Sequence, residues 1–461
     1  MGSADAPPPP RPHGSRLAGW IAAIIIVCSV VLAIAGVAED KKAQEADGSR
    51  ASLARMEESL EARYVVGMNE LLGPMVEQSG PVGKTAWLEP FQAKAETPRE
   101  KTGLAILQLE ILGEDAAAKT LEAVALSGSE EAAKDASTLQ TLIASGAGDV
   151  PQERREEFAK RHGWAGRLAL THGLPDSEPA RAQVLGEARR TFGGAIILGC
   201  LTGGGFLLGC GLAVWGLIHF LSGRGVWRFA VHDLPAIQAT GGSVWLETFA
   251  VYLGIMVLGG WLAGLLPEPW APWPQGAAFL GAAVLAFWWP RLRGIKGREY
   301  RQGLGWTRGR GFFREMGAGF TGYLAGLPIV AAGVVLTVLL ASLAQADASH
   351  PLNHMTDSPP AVLALLGVLA AVWAPLIEET FFRGAFYAAW RQKCGRWLSG
   401  LATGVLFAAV HPQGWTAIPA LGAIGLVMAL LREWRGSLIA PITAHALNNG
   451  TLFLIMILMM R

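Results

Sequence analysis

The chain is poor in the residues that build sites in soluble proteins. It has four cysteines in 461 residues. Cys28, Cys200 and Cys210 lie in apolar segments and Cys394 in a basic loop, with no CxxC or zinc-finger spacing. That excludes a zinc finger and gives no reason to expect a structural disulfide. Charged residues make up only 16% of the chain and nearly cancel, at net +1. The basic ones sit in loops between apolar runs, so no nucleic-acid partner is expected. There is no strand alternation or hairpin signal, no convincing repeat and no HExxH. What is abundant is apolar surface: 51% of residues are hydrophobic, and mean hydropathy is positive. Both point to a membrane protein.

Residues 1–18, which open MGSADAPPPPRPHGSR, are Pro-rich and read as a disordered cytoplasmic tail. Residues 19–37 are apolar and long enough to span a bilayer; GVA before Glu39 also fits a cleavage site, so the segment is an anchor or a signal. Residues 38–190 are rich in Ala, Leu and Glu, and ASLARMEESLEARYVVGMNELLG and GLAILQLEILGEDAAAKTLEAVALSG show helical periodicity with glycine stops. A small helical domain is expected there, with no catalytic motif of its own but with room for a protein partner. His162 and His172 read as ordinary surface or core histidines.

Residues 191–461 are expected to be polytopic, with apolar segments near 193–221, 245–266, 275–290, 317–344, 361–390, 397–411, 415–431 and 438–460. Lys and Arg occupy the loops 222–228, 291–314, 391–396 and 432–435 and are absent from 267–274, 345–360 and 412–414. The positive-inside rule then gives about eight core spans after the anchor, a cytoplasmic N-terminus, and residues 38–190 on the outer side. The expected fold is an all-α, polytopic membrane helix bundle with an N-terminal anchor and a small helical soluble domain. The expected location is the inner membrane of a bacterium.

Within AVWAPLIEETFFRGAFYAAW, Glu378, Glu379 and Arg383 interrupt an apolar helix. Each ionisable residue near mid-bilayer costs roughly 2.5–3.5 kcal/mol on insertion scales, so such residues mark either a site or a structural ion pair. Glu379 and Arg383 are four apart and share a face; Glu378 points about 100° away. An unneutralised, half-buried carboxylate suits a general acid or base. Phe407 and His411 in FAAVH are also four apart, as are His445 and Asn449 in HALNN; Asn448 reads as packing. Counted from the cytoplasmic helix ends, Glu378, His411 and His445 lie about 18, 21 and 11 Å deep, which allows them to meet in one wet cavity.

The ordered set Glu378-Glu379-x-x-x-Arg383, Phe407-x-x-x-His411 and His445-x-x-x-Asn449 resembles the CPBP family of intramembrane proteases, which comprises CAAX prenyl endopeptidases and bacteriocin-processing or bacteriocin-immunity proteins. The resemblance covers about 295–460 and leaves out the anchor and the helical domain. It implies hydrolysis of a peptide bond in a peptide or membrane-protein substrate. Glu378 and His411 would activate water, and His445 and Asn449 would hold the oxyanion. Glu379, Arg383 and Phe407 would orient the site. No cofactor is required in that reading. The rival is zinc on Glu378, His411 and His445, since two His and a Glu form a plausible ligand set. Non-catalytic alternatives are a membrane scaffold or immunity-type protein, and a proton-coupled transporter. The transporter is disfavoured by the lack of interrupted helices in matching halves.

Overall fold

A computed structural model describes residues 13–46, 49–77, 82–222, 242–266, 272–344 and 359–460. Residues 1–12 of the expected tail, and 223–228, 267–271 and 345–358 of the expected loops, lie outside the described residues. Every regular element among the described residues is helical. The chain divides into two compact units, one of residues 48–201 and one formed by the preceding segment together with residues 202–454.

The first helix, α1 (Arg16–Ala46), begins the membrane unit. The helical unit follows with α2 (Ser49–Glu77), α3 (Val82–Ala86), α4 (Glu89–Lys94), α5 (Pro98–Leu112), α6 (Glu114–Ala125), α7 (Glu130–Ser145) and α8 (Gln152–Leu170), and takes in the first turns of α9 (Pro179–Leu221). Its boundaries follow local chemistry. At α5, the Thr97 side chain accepts from the Glu100 backbone N–H while Glu100 accepts from that of Thr97, a capping box ahead of Pro98. Gly113 then takes φ 94°, a conformation that favours glycine, so α6 starts where α5 stops. The buried core includes Leu88, Leu107, Leu121, Leu139, Phe158, Trp164, Leu168 and Leu185. Two ionic networks tie it together. Asp135 accepts from Arg161 at 2.7 Å and pairs with buried His162 at 2.9 Å. Glu110 accepts from Arg181 at 2.6 Å, with His172 3.9 Å away. A cavity of about 320 Å³ opens among Glu58, Arg99, Lys160, His162 and Trp164.

The membrane unit continues with α10 (Val244–Gly264), α11 (Pro272–Leu292), α12 (Gly297–Leu304) and α13 (Phe312–Leu343). Next comes α14, a continuous helix built from Pro360–Val368, Ala374–Glu379 and Tyr387–Arg391 with wider π-type turns at Leu369–Trp373 and Thr380–Phe386. α15 (Arg396–Ala409), α16 (Ile418–Arg435) and α17 (Ile439–Met460) complete it. Among the described residues six helices are long and apolar enough to cross a membrane: Arg16–Gly36, Pro179–His219, Val244–Gly264, Phe312–Leu343, Ala361–Arg391 and Trp415–Arg435. The other expected segments, 275–290, 397–411 and 438–460, are also helical but are not among those six. α15, with 14 residues, is about 21 Å long, short of a hydrocarbon core of about 30 Å. The turn that carries His411 therefore follows a helix shorter than a full span.

Glycine sets how closely these helices pack. A Cβ on Gly404 of α15 would come within 2.5 Å of the Gly422 carbonyl on α16, so the two backbones touch, as small residues allow in membranes. The segment 432–435, expected as a basic loop, is instead the last turn of α16, and Arg432 and Glu433 within it are buried. Glu433 accepts hydrogen bonds from Tyr387 and Arg391, which offsets the cost of burying it.

Candidate active site

The polar residues of α14 do not behave alike. Glu379 and Arg383 are fully buried, and Arg383 Nη1 donates to Glu379 Oε1 at 2.9 Å. Arg383 Nη2 donates to the Gly425 carbonyl at 3.0 Å, a contact permitted by the tight α15–α16 packing beside Gly425. The guanidinium also lies over the Phe407 ring, 4.7 Å from its centroid. Glu378, one residue earlier, keeps 19% of its side chain exposed and makes no bond to Arg383. The expected division between a paired and an unpaired carboxylate holds in the geometry.

His445, from α17, stands between the two carboxylates. Its Nδ1 donates to Glu379 Oε1 at 2.8 Å, and its Nε2 lies 3.8 Å from Glu378 Oε2. The sequence pairs Glu379 with Arg383 alone; the structure gives it His445 as well. His411 follows α15, and its ring packs on Phe407 with centroids 4.2 Å apart. Its Nδ1 hydrogen-bonds the Phe407 carbonyl. A carbonyl only accepts, so Nδ1 carries the proton and, in the neutral ring, Nε2 keeps a lone pair. Glu378, His445 and Arg383 all lie within electrostatic range of this ring. Phe407 touches His411, Arg383 and His445, the last at 5.8 Å between centroids, and so sits at the centre of the cluster.

Asn449 is occupied differently from the sequence expectation. Its Nδ2 donates to the Ala370 carbonyl at 3.0 Å, inside the first π-type turn of α14, where backbone carbonyls depart from the regular ladder. Asn448, read from sequence as facing elsewhere, donates to Asn449 Oδ1 at 3.3 Å. Adjacent helical side chains normally diverge, but two short amides at the same level still reach one another.

The structure thus brings Glu378, Glu379, Arg383, Phe407, His411 and His445 into one cluster and links Asn449 to it through α14. Among the described residues no three His, Cys, Asp or Glu side chains stand close enough to form a ready-made metal site. His445 holds its Nδ1 on Glu379 and turns its Nε2 toward Glu378, 3.8 Å away.

Sequence reasoning passed over Tyr252 on α10, whose ring stacks on Phe381 at 4.3 Å. A tyrosine in the middle of an apolar helix was the available signal. Glu247 at the start of α10 was also passed over; it accepts from Ser243, Trp289 and Arg293 and braces α10 against α11.

No curated protein and no solved structure matches the chain. A family model does match, over residues 360–451, the stretch from the start of α14 to two residues past Asn449. That family is described as type II CAAX prenyl endopeptidase Rce1-like, which agrees with the resemblance read from the sequence.

Proposed function

We propose that this integral membrane protein is an intramembrane endopeptidase that hydrolyses a peptide bond in a membrane-associated or lipidated peptide or protein. The observation that carries the reading is the unequal pair on α14. Glu379 is bound by Arg383 and His445, whereas Glu378 is partly exposed, unbonded to Arg383 and 3.8 Å from His445 Nε2.

In this reading a water molecule lies between Glu378 and His411 Nε2. Glu378 takes its proton as the water oxygen attacks the scissile carbonyl carbon. The same proton then passes from Glu378 to the leaving amine as the C–N bond breaks. Donation from both ring nitrogens of His445 requires a proton on each. The Nε2–H of His445 then donates to the developing oxyanion, and the Asn449 N–H not used on Ala370 is the second donor. Arg383, Phe407 and the Ala370 bond fix the positions of these groups.

The test compares membrane and secreted proteomes of cells carrying wild-type protein or Glu378→Gln. An uncleaved species that accumulates with the variant supports the reading; identical proteomes with equal amounts of both proteins oppose it. The alternation of Lys and Arg among the short loops supports an orientation with residues 38–190 outside the cytoplasm and 291–314 inside, in a bacterial inner membrane. Cysteine labelling along 100–150 from the outer side checks that; labelling only from the cytoplasm contradicts it. Whether the substrate is prenylated is a question for the accumulated species itself.

A further inference from the structure

Tyr252 lies on α10, outside the stretch 360–451 that the family model matches. It is only 4% exposed. Its ring stacks on Phe381 with 4.3 Å between centroids and 16° between planes. Phe381 is three residues after Glu378, so the two share a face of α14. One turn earlier on α10, Phe249 meets Phe382 and Phe386 at 5.0 and 4.9 Å. Two aromatic anchors therefore fix the register of α10 against the π-type turn, and the stacked ring fixes where the phenol oxygen lies.

That oxygen has nothing to bond. Buried tyrosine hydroxyls normally find a partner. The other two fully buried tyrosines do: Tyr387 donates to Glu433, and Tyr300 donates to the Phe287 carbonyl at 2.6 Å. Among the described residues the Tyr252 hydroxyl makes no hydrogen bond to the protein, and its oxygen is not among the polar atoms sealed from solvent without a partner. The charged group within electrostatic range of it is Glu378. No direct hydrogen bond joins the two among the described residues. A donor held rigidly and left unengaged beside the general base is suited to a group that arrives with the substrate.

Building on the hydrolase reading, we propose that Tyr252 is a further catalytic residue, whose O–H donates a hydrogen bond to the scissile carbonyl oxygen as it becomes the oxyanion. The balance of the step is unchanged. Water supplies the C–O bond, Glu378 carries its proton to the leaving nitrogen, and Tyr252 keeps its own proton throughout. Two donors assigned from sequence are already partly committed, His445 Nδ1 to Glu379 and Asn449 Nδ2 to Ala370. Tyr252 would add a donor with no competing partner.

The test is Tyr252→Phe, which keeps the ring and its stacking and removes only the hydroxyl. It is measured on the species that accumulates in Glu378→Gln cells, with wild-type protein and both variants purified in detergent. Loss of one oxyanion donor costs on the order of 10²–10³ in kcat. The expected result is a kcat lowered by that factor, an unchanged KM and an unchanged melting temperature. Cleavage by Tyr252→Phe at the wild-type rate, with Glu378→Gln inactive, overturns this proposal and leaves the hydrolase reading standing. Normal cleavage by Glu378→Gln overturns both.

Discussion

The two units each contain a carboxylate held by a histidine and an arginine. In the helical unit Asp135 meets His162 at 2.9 Å and Arg161 at 2.7 Å. In the membrane unit Glu379 meets His445 at 2.8 Å and Arg383 at 2.9 Å. The chemistry is alike and the distances are close, yet only one trio belongs to a candidate site. The difference lies in what surrounds it. Arg161 keeps 29% of its side chain in contact with solvent, and the second carboxylate near His162, Glu58, is itself paired with Arg99 at 4.0 Å. Arg383 has no exposure, and the other nitrogen of His445 faces Glu378. A carboxylate–histidine–arginine trio is thus ordinary structural chemistry; an added carboxylate bonded to no arginine, with a second histidine nearby, is what distinguishes the membrane cluster.

The comparison predicts unequal costs when each trio is cut. Arg383→Ala leaves Glu379 and the Gly425 carbonyl buried without the guanidinium, and removing one partner of a buried pair costs roughly 3–5 kcal/mol. Folded protein in the membrane and its melting temperature in detergent should both fall sharply. An Arg383→Ala protein as stable as wild type would show that the buried trio is not holding the bundle. Asp135→Ala should cost less, about 1–3 kcal/mol, because Arg161 can turn to water and only His162 is stranded. Differential melting of the full chain, with near-ultraviolet signals for both units, reads the two losses side by side.

A smaller effect comes from acid. Burial raises the carboxyls of Asp135 and Glu110, but His162 and Arg161 for the first, and His172 and Arg181 for the second, outweigh it and hold both below their ordinary values. A depressed carboxylate contributes stability that is complete above its unfolded value and is lost as pH falls through its folded value. The stability that Asp135 and Glu110 contribute should therefore be complete from neutral pH down to about pH 4 and be lost progressively below, while Glu58 and Glu70, raised by burial, act in the opposite sense. Asp135→Asn should flatten part of that decline. An identical acid profile for the variant would remove Asp135 from the account.

Much of this was legible in the sequence. Helical periodicity, glycine stops and apolar runs specify an all-helical membrane chain, and i,i+4 spacing alone pairs Glu379 with Arg383 and separates Glu378 from them. Three things were not legible, each for a reason of distance. The π-type turns of α14 depend on partners such as Asn449, 79 residues from Ala370, so no local pattern announces them. LLREWRG reads as a basic loop because the groups that bury Arg432 and Glu433, including Tyr387, Arg391 and the Gly303 carbonyl, come from remote segments. Tyr252 carries no periodic or charged signal, and its meaning appears only when Phe381 is found stacked beneath it.

The central claim is that Glu378 does chemistry while Glu379 and Arg383 hold structure. The most direct measurement takes Glu378→Gln and Arg383→Ala, purified in detergent, and records thermal melting and substrate cleavage on the same preparations. Glu378→Gln removes no partner of Arg383 and keeps a side chain of similar size. The account predicts a melting temperature close to wild type with no product formed, against a large drop in melting temperature for Arg383→Ala. A Glu378→Gln protein that cleaves normally, or that unfolds as readily as Arg383→Ala, would contradict it.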